Sequence, residues 1–292
     1  MCWMCSASSQ PDVPWTDFSL CAAWRRALWT HDSYMRHLTT IGVPIPVSLF
    51  NAIGLRLSAV MIDVLHTCDL GITCHILANV FWLMAVVRTV FGGANIKTKV
   101  EHLNDHLKQW YQDHKTEATS RISGKLTPDR VRPKSGWPKL RAKGAVARHL
   151  VLYALALMRE FGDGTTHDNM VTAIVELLSS FYDLLKSSDV FLSDSARRDL
   201  PTLGTRLACY YSDLAAQYHE QGIKLFKINP KMNLFVHPCC YQAIASGNPK
   251  YYWTYSDEDF VGLMVEVAQT CHPSTLTISV IFKWMHLMFD TD

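Results

Sequence analysis

Apolar residues recur three and four positions apart along most of the chain, and this spacing predicts a mainly helical protein. The pattern is clearest in 95–115, 145–162, 166–188 and 193–222, and it returns in 256–271 and 276–288. A weaker amphipathic pattern runs from Asp17 to His37. The pair Ser193-Asp194 adds a helix N-cap signal at the start of the fourth segment.

A few short runs have the composition of strands instead. Residues 56–63 form an apolar run with several β-branched residues that ends at Asp63, which is typical of a buried strand. Met232 to Val236 and Tyr251 to Tyr255 also favour extended structure. We therefore predict an α+β fold that is mostly α with a few strands.

The longest apolar stretch, from Ile72 to Val90, approaches the length of a membrane span. Polar residues interrupt it, and it follows the predicted strand directly. A buried helix is therefore the better prediction, and we expect no membrane partner.

Charge and cysteine content narrow the function classes. The chain has 292 residues, a net charge of +2 and nine cysteines. A nearly neutral chain can contact nucleic acid only through local patches. The odd cysteine count, without a framework of regular spacings or a signal peptide, predicts reduced thiols inside a cell.

One local patch stands out between residues 115 and 150. It holds ten basic residues, opposed only by Glu117 and Asp129, and is interrupted by three prolines and Trp137. Such a segment is a candidate contact for the phosphate backbone of DNA, and a solvated surface loop is the alternative. The candidate contact residues are Arg130, Arg132, Lys134, Lys139, Arg141 and Lys143.

The chain opens with Cys2-x-x-Cys5, which is half of a tetrahedral zinc site. A free thiol pair is the alternative. The missing ligands could come only from distant residues that the fold brings close, for which the sequence offers Cys68, Cys74, His75, Cys239 and Cys240. His237 is interpreted as a structural histidine.

Four stretches together carry a family resemblance. Asp63-Val64-Leu65-His66 resembles the Asp-x-x-His signature of eukaryotic cut-and-paste DNA transposases of the CACTA-like and hAT-like kind. The sequence around this motif is similar to that of transposase-like proteins of dinoflagellate genomes. The matching stretches are 62–71, 137–140, 191–194 and 253–262.

The resemblance implies a partial RNase H-like core interrupted by a large all-α insertion. The division would be 1–94 for the first part of the core, 95–230 for the insertion and 231–292 for the rest of the core. Asp63 would be the second metal-binding acid and Glu258 the third, with His66 beside them. Mg²⁺ or Mn²⁺, DNA as partner and a nuclear location are implied in the same way.

Other interpretations of these residues stay open. The acids that follow Ser256 also fit a capping box at a helix start. No strand-borne Asp precedes Asp63, which predicts an N-terminally truncated core with little or no transposase activity. The alternatives are a non-catalytic α-helical module that binds nucleic acid or protein, and a hydrolase built on Asp63, His66 and His75. The sequence allows an oligomer but does not fix the oligomeric state.

Overall fold

The computed structural model describes residues 2–42, 54–134 and 136–289. It is 67% helical with 1% strand, and no sheet forms among the described residues. The predicted α+β class and the RNase H-like core are therefore wrong, and the protein is all-α. An RNase H-like core requires a sheet whose strand ends carry the acids, and the described chain contains only two isolated bridges, Cys5 to Leu28 and Ser8 to Pro14.

The helices follow the predicted periodicity closely. We number those of the first part of the chain α1 His31–Thr40, α2 Leu65–Val87, α3 Ile96–Asp113, α4 Pro128–Val131, α5 Gly144–Phe161, α6 Thr166–Ser187, α7 Asp194–Glu220 and α8 Pro230–His237. After α8, a π-helical turn, Pro238–Gln242, leads to a last turn, Ala243–Ser246. α9 Tyr255–Gln269 and α10 Leu276–Phe289 follow. Short 3-10 turns are Ala23–Arg26, Leu57–Ala59, Ala118–Ser120, Pro249–Tyr251 and Pro273–Thr275.

The apolar helix α2 lies at the centre of the core. Its first half packs against α5 and α8, and its end packs against α3. The pairs α5–α6 and α6–α7 complete the bundle. Leu65–Val87 is long and apolar enough to span a membrane, but 78% of its most apolar window is buried inside the protein. Its composition is thus that of a central core helix.

The run that predicted the organising strand is extended but has no partner strand. Gln242 takes the place of a neighbour, because its side-chain amide accepts from Ile62 N at 3.0 Å and donates to Val60 O at 2.9 Å. The chain then enters α2 directly after Asp63. The Gln242 side chain thus makes the hydrogen bonds that a neighbouring strand would make in the predicted sheet.

The other predicted strands are also corrected. Met232 to Val236 lies in α8, which Asn229 caps through Lys231 N and which has Pro230 at its first position. Tyr251 to Tyr255 forms the end of a 3-10 turn and the start of α9. Asp17 to His37 is not one helix, since only a 3-10 turn and the beginning of α1 form there.

The chain divides into two compact units, Met1–Tyr252 and Trp253–Asp292. The first contains α1 to α8 and the whole core described above. The second is the helical pair α9 and α10. α9 begins at Tyr255, so Ser256 lies inside the helix and its predicted capping role is wrong. The N-cap residue is Thr254, whose side chain makes no capping hydrogen bond.

Candidate functional site

The first candidate site joins the two ends of the first unit. The sulfur atoms of Cys2 and Cys5 lie 3.4 and 3.3 Å from Nε2 of His237. The three possible ligand atoms are all within 4.8 Å of one another, and all three residues are buried. We call this group the Cys2–Cys5–His237 cluster. Its geometry could hold a metal ion, as the Cys-x-x-Cys pattern predicted in part.

The short loop between the cysteines is shaped to present both sulfur atoms. Met4 N donates to the sulfur of Cys2, and Ala7 N donates to the sulfur of Cys5, each at 3.4 Å. The loop is fixed to the chain that follows, because Trp29 N donates to Met4 O. Backbone donors of this kind stabilise thiolates and orient them as metal ligands.

The histidine comes from the last residue of α8, where Pro238 starts the π-helical turn. Its ring packs edge-on against Trp24, with 5.2 Å between ring centroids, and lies 5.7 Å from the ring of Tyr241. Nδ1 has no hydrogen-bond partner among the described residues. Only Nε2 is therefore engaged, and it faces the two sulfur atoms.

The pKa values of the two thiols move in opposite directions. The hydrogen bond from Cys5, opposed by burial and helped by His237 and Met4, lowers the pKa of Cys2. The hydrogen bond to Cys2 and burial raise the pKa of Cys5. A thiolate thus forms readily in the cluster, and thiolate is the form that binds metal.

Sequence reasoning missed His237, which it treated as structural, because 235 positions separate it from Cys2. The other suggested ligands are elsewhere. The sulfur of Cys68 contacts Thr73 and Tyr182, and His75 Nδ1 donates to Pro138 O at 3.0 Å. Cys74, Cys239 and Cys240 are also outside the cluster. The one sequence signal was the residue type itself, since Cys-x-x-Cys pairs with histidine in many metal sites.

The predicted acidic metal site lacks the sheet that should carry Asp63, and the pairing of Asp63 with Glu258 stays a prediction. Asp63 Oδ2 accepts from His66 N at 2.8 Å and from His66 Nδ1 at 2.6 Å, while Oδ1 accepts from Leu65 N. The carboxylate thus caps the start of α2. Glu258 belongs to the second unit, and its side chain lies outside the described residues. Within those residues the only group of three or more metal-ligand side chains is the cysteine–histidine cluster, so Mg²⁺ and Mn²⁺ have no support.

Asp69, within the stretch 62–71 that carries the family resemblance, is fully buried in the core. Its carboxylate accepts from the Tyr182 hydroxyl at 2.5 Å and from the Arg148 guanidinium at 2.6 Å. The ion pair holds α2 against α5 and α6. Arg148, one of the ten basic residues between 115 and 150, therefore has a structural role.

Comparison with protein-family models, curated proteins and solved structures finds no match. The transposase resemblance stays a prediction, as do the nuclear location and the three-part division of the chain.

The second candidate site is a pocket in the basic segment. Four cations, those of Arg121, Arg130, Arg141 and Lys143, line a cavity of about 520 Å³. Apolar walls come from Ile122 and Val146, and none of the described residues that line the cavity is acidic. We call it the basic pocket.

Backbone carbonyls hold two of the guanidiniums in place. Arg130 Nε donates to Arg141 O at 2.8 Å, and its Nη1 donates to the carbonyl of Ser123. Arg121 Nε donates to Thr116 O at 2.9 Å. Neither of these bonds neutralises the positive charge. The pocket therefore presents fixed guanidiniums to an anion.

The six predicted contact residues do not form one surface. Arg130, Arg141 and Lys143 line the basic pocket. The guanidinium of Arg132 instead stacks 4.7 Å from the ring centroid of Trp82 and donates to Gly136 O. Lys134 and Lys139 are exposed on the loop that follows α4. Arg121, in the basic segment but not among the six, completes the pocket.

Proposed function

We propose that this protein is a non-catalytic, all-α DNA-binding protein and that the basic pocket receives the phosphate backbone. The observation that carries the proposal is the lining of the pocket, in which four cations converge without a carboxylate. A cavity of this kind attracts polyanions and repels cations.

The chemistry of the pocket favours an anion over a cation, and phosphate fits its donors well. Arg guanidiniums donate several N–H groups in a plane, which matches the oxygen atoms of a phosphate. Arg121 and Arg130 are held by backbone carbonyls, so little side-chain freedom is lost on binding. Lys143 and Arg141 are exposed and can follow neighbouring phosphates along a strand.

The transposase activity that the resemblance implies is not part of the proposal. That activity requires a sheet that carries Asp63, and the described chain forms no sheet. Asp63 is occupied as the cap of α2 and by His66. Binding without catalysis is the function that the described geometry supports best.

The experiment is a salt titration of the affinity for a fluorescein-labelled 20-nucleotide DNA, followed by anisotropy. In Arg141→Gln/Lys143→Gln we expect weaker binding and a shallower dependence of log K on log salt, by roughly 1.5, since each phosphate contact contributes about 0.7 to 0.9. The control is Arg197→Gln/Arg198→Gln, which removes two exposed cations from α7. Absence of binding by the wild type, or an equal loss in the control, would refute the proposal.

We also propose that the Cys2–Cys5–His237 cluster holds Zn²⁺. Zinc takes cysteine sulfur at about 2.3 Å and histidine nitrogen at about 2.0 Å, so tetrahedral ligands stand about 3.5 Å apart. The observed sulfur-to-Nε2 distances of 3.4 and 3.3 Å are close to this value. The ion would fix the N-terminal segment, residues 2–30, to α8, because Cys2 and Cys5 lie in that segment and His237 is the last residue of α8.

Metal analysis of the purified protein tests the ion. We expect about one zinc per chain and a Co²⁺ derivative with strong thiolate-to-metal absorption, both lost in Cys5→Ser and in His237→Ala. The matched control is Cys21→Ser, which changes an exposed cysteine outside the cluster. Soft thiolates also bind Cu⁺. If the purified protein retained Cu⁺ in preference to zinc, the proposed ion would be copper instead.

A further inference from the structure

A second positively charged surface lies at the tip of the loop that begins at the basic pocket. Residues 132–134 and 136–141 belong to this loop. Two backbone hydrogen bonds close its base, from Arg141 N to Arg130 O and from Lys139 N to Val131 O, both at 2.9 Å. The base of the loop carries Arg130 and Arg141 of the pocket. Its tip carries Trp137.

Two hydrogen bonds fix the tip on the core. Leu140 N donates to Cys74 O at 2.9 Å, and Pro138 O accepts from His75 Nδ1 at 3.0 Å. Both partners belong to α2. Trp137 and Arg141 are four residues apart, so their Cα atoms are separated by at most about 14 Å. One short stretch of nucleic acid can therefore reach both.

Two lysines from a distant part of the chain lie beside the tip of this loop. Lys227 Nζ lies 5.8 Å from the ring centroid of Trp137. A side chain added at Gly136 would meet Lys224 Nζ at 3.7 Å, which places that ammonium beside the same loop. Lys224, Lys227 and Lys139 are all exposed. The first two lie outside the basic segment of the sequence.

Trp137 differs from the other tryptophans that have a cation on the ring. Trp24 and Trp82 carry arginines at 4.8 and 4.7 Å, but both are buried, at 0% and 7% exposure. They contribute to the core. Trp137 is only half-buried and is therefore not a core tryptophan of this kind.

We propose that Trp137 is a base-stacking platform and that the DNA bound by this protein is single-stranded. This inference rests on the proposed DNA binding. A base can stack on a protein ring only when it is free of its own duplex stack, and an aromatic ring flanked by lysines is the arrangement that single-stranded sites use. Lys224 and Lys227 bind the phosphates on either side of the stacked base, and the basic pocket binds the strand further along.

The test compares labelled (dT)20 with a 20-base-pair duplex, using the full chain. The wild type is expected to bind the single strand more tightly. Trp137→Ala should weaken binding of (dT)20 roughly 10-fold and binding of the duplex less than 2-fold. Trp15→Ala, which truncates another half-buried tryptophan, is the control and should change neither.

A second pair of variants keeps the test decisive if Trp137→Ala is unstable. Lys224→Gln/Lys227→Gln changes only exposed side chains and should reduce the salt slope for (dT)20 by about 1.4, or 0.7 per contact. Trp137→Phe retains a smaller ring and should lose less affinity than the alanine variant. Equal affinity of the wild type for single strand and duplex, or normal binding by the lysine pair, would overturn the inference.

The two proposals fail in different ways. If the wild type binds neither DNA, the proposed function is wrong and this inference falls with it. If Arg141→Gln/Lys143→Gln weakens binding but Trp137→Ala and the lysine pair do not, the pocket binds DNA and only the stacking platform is wrong.

Discussion

At the scale of single residues, buried polar groups decide which side chains are available for function. Asp69 and His237 are fully buried and His75 is half-buried, and the partner of each gives it a definite role. Asp69 forms a core ion pair, His75 supports the loop of Trp137, and His237 completes the cluster. A charge or imidazole inside a protein needs a partner, and the identity of that partner tells what the residue does.

Removing Asp69 should therefore destabilise the protein strongly. Asp69→Ala leaves the Arg148 guanidinium and the Tyr182 hydroxyl without their carboxylate, and we expect a loss of about 3–5 kcal/mol in the free energy of unfolding. Urea denaturation measures it. Asp105→Ala removes an exposed partner of Lys108 and should change stability by less than about 0.5 kcal/mol. Similar values for the two variants would contradict the core role of Asp69.

His75 predicts a pH dependence of stability. Burial, together with nearby lysines, lowers the pKa of His75 to about 4, against an ordinary value of 6.5. Between pH 6.5 and 4 the unfolded chain then binds more protons than the folded one. Its contribution to stability is therefore complete above pH 6.5 and is lost as the pH falls to 4, by up to about 1.4 kcal/mol per unit.

The variant His75→Gln isolates this contribution from the other histidines. Free energies of unfolding of variant and wild type should converge as the pH is lowered from 6.5 to 4. A difference that stays constant with pH would show that His75 does not titrate in this range.

At the scale of elements, the decisive feature is the irregularity of α2. The helix is π-helical over Leu65–Thr73 and Leu83–Val87, and Gly71 interrupts it with φ −98° and ψ −108°. The interruption lets Lys231 of α8 come close, so that its Nζ donates to His66 O at 2.7 Å. The packing of α8 on α2 thus places His237, at the other end of α8, against the cysteines.

Gly71→Ala should disturb this contact. The added Cβ would lie 2.9 Å from both His66 O and Lys231 Cδ, closer than real side chains approach. We expect a loss of about 1–3 kcal/mol in the free energy of unfolding and weaker metal retention. Gly262→Ala in α9 meets no atom within 4 Å and should not destabilise. An unchanged unfolding midpoint for Gly71→Ala would contradict the close packing.

At the scale of the whole molecule, the cluster connects residues 232 positions apart, Cys5 and His237. A metal ion there closes a loop around most of the first unit. The N-terminal segment has little regular structure of its own, and its position depends on the cluster, on Trp24 and on a few backbone hydrogen bonds. Metal binding and the order of this segment should therefore be coupled.

Metal removal should release the N-terminal segment but leave the helical bundle folded. After chelation we expect faster hydrogen–deuterium exchange in residues 2–30 and unchanged exchange in α5 to α7, measured by mass spectrometry. Cys5→Ser should behave like the chelated wild type, and Cys21→Ser like the metal-bound one. Unchanged exchange in residues 2–30 after complete metal loss would show that the ion does not order the segment.

The sequence by itself determined most of the helices, because a 3.6-residue spacing of apolar side chains is a local property of the chain. Burial of the apolar face that this spacing creates stabilises each helix directly. The segments predicted at 95–115, 145–162, 166–188 and 193–222 match α3, α5, α6 and α7 within two residues at each end. The basic segment and the Cys-x-x-Cys pair could also be recognised in the sequence, the first from its composition and the second from its spacing. These features depend on neighbours in the chain and on nothing else.

Only the tertiary structure decided the fold class and the sites. A short β-branched run pairs as a strand only if another strand is available, and here Gln242 satisfies residues 60–62 instead. His237 and Lys227 reach Cys2 and Trp137 across long separations that no local pattern encodes. The packing of α8 on α2 brings these residues together, and that packing depends on the shapes of the buried surfaces rather than on any one stretch of the sequence.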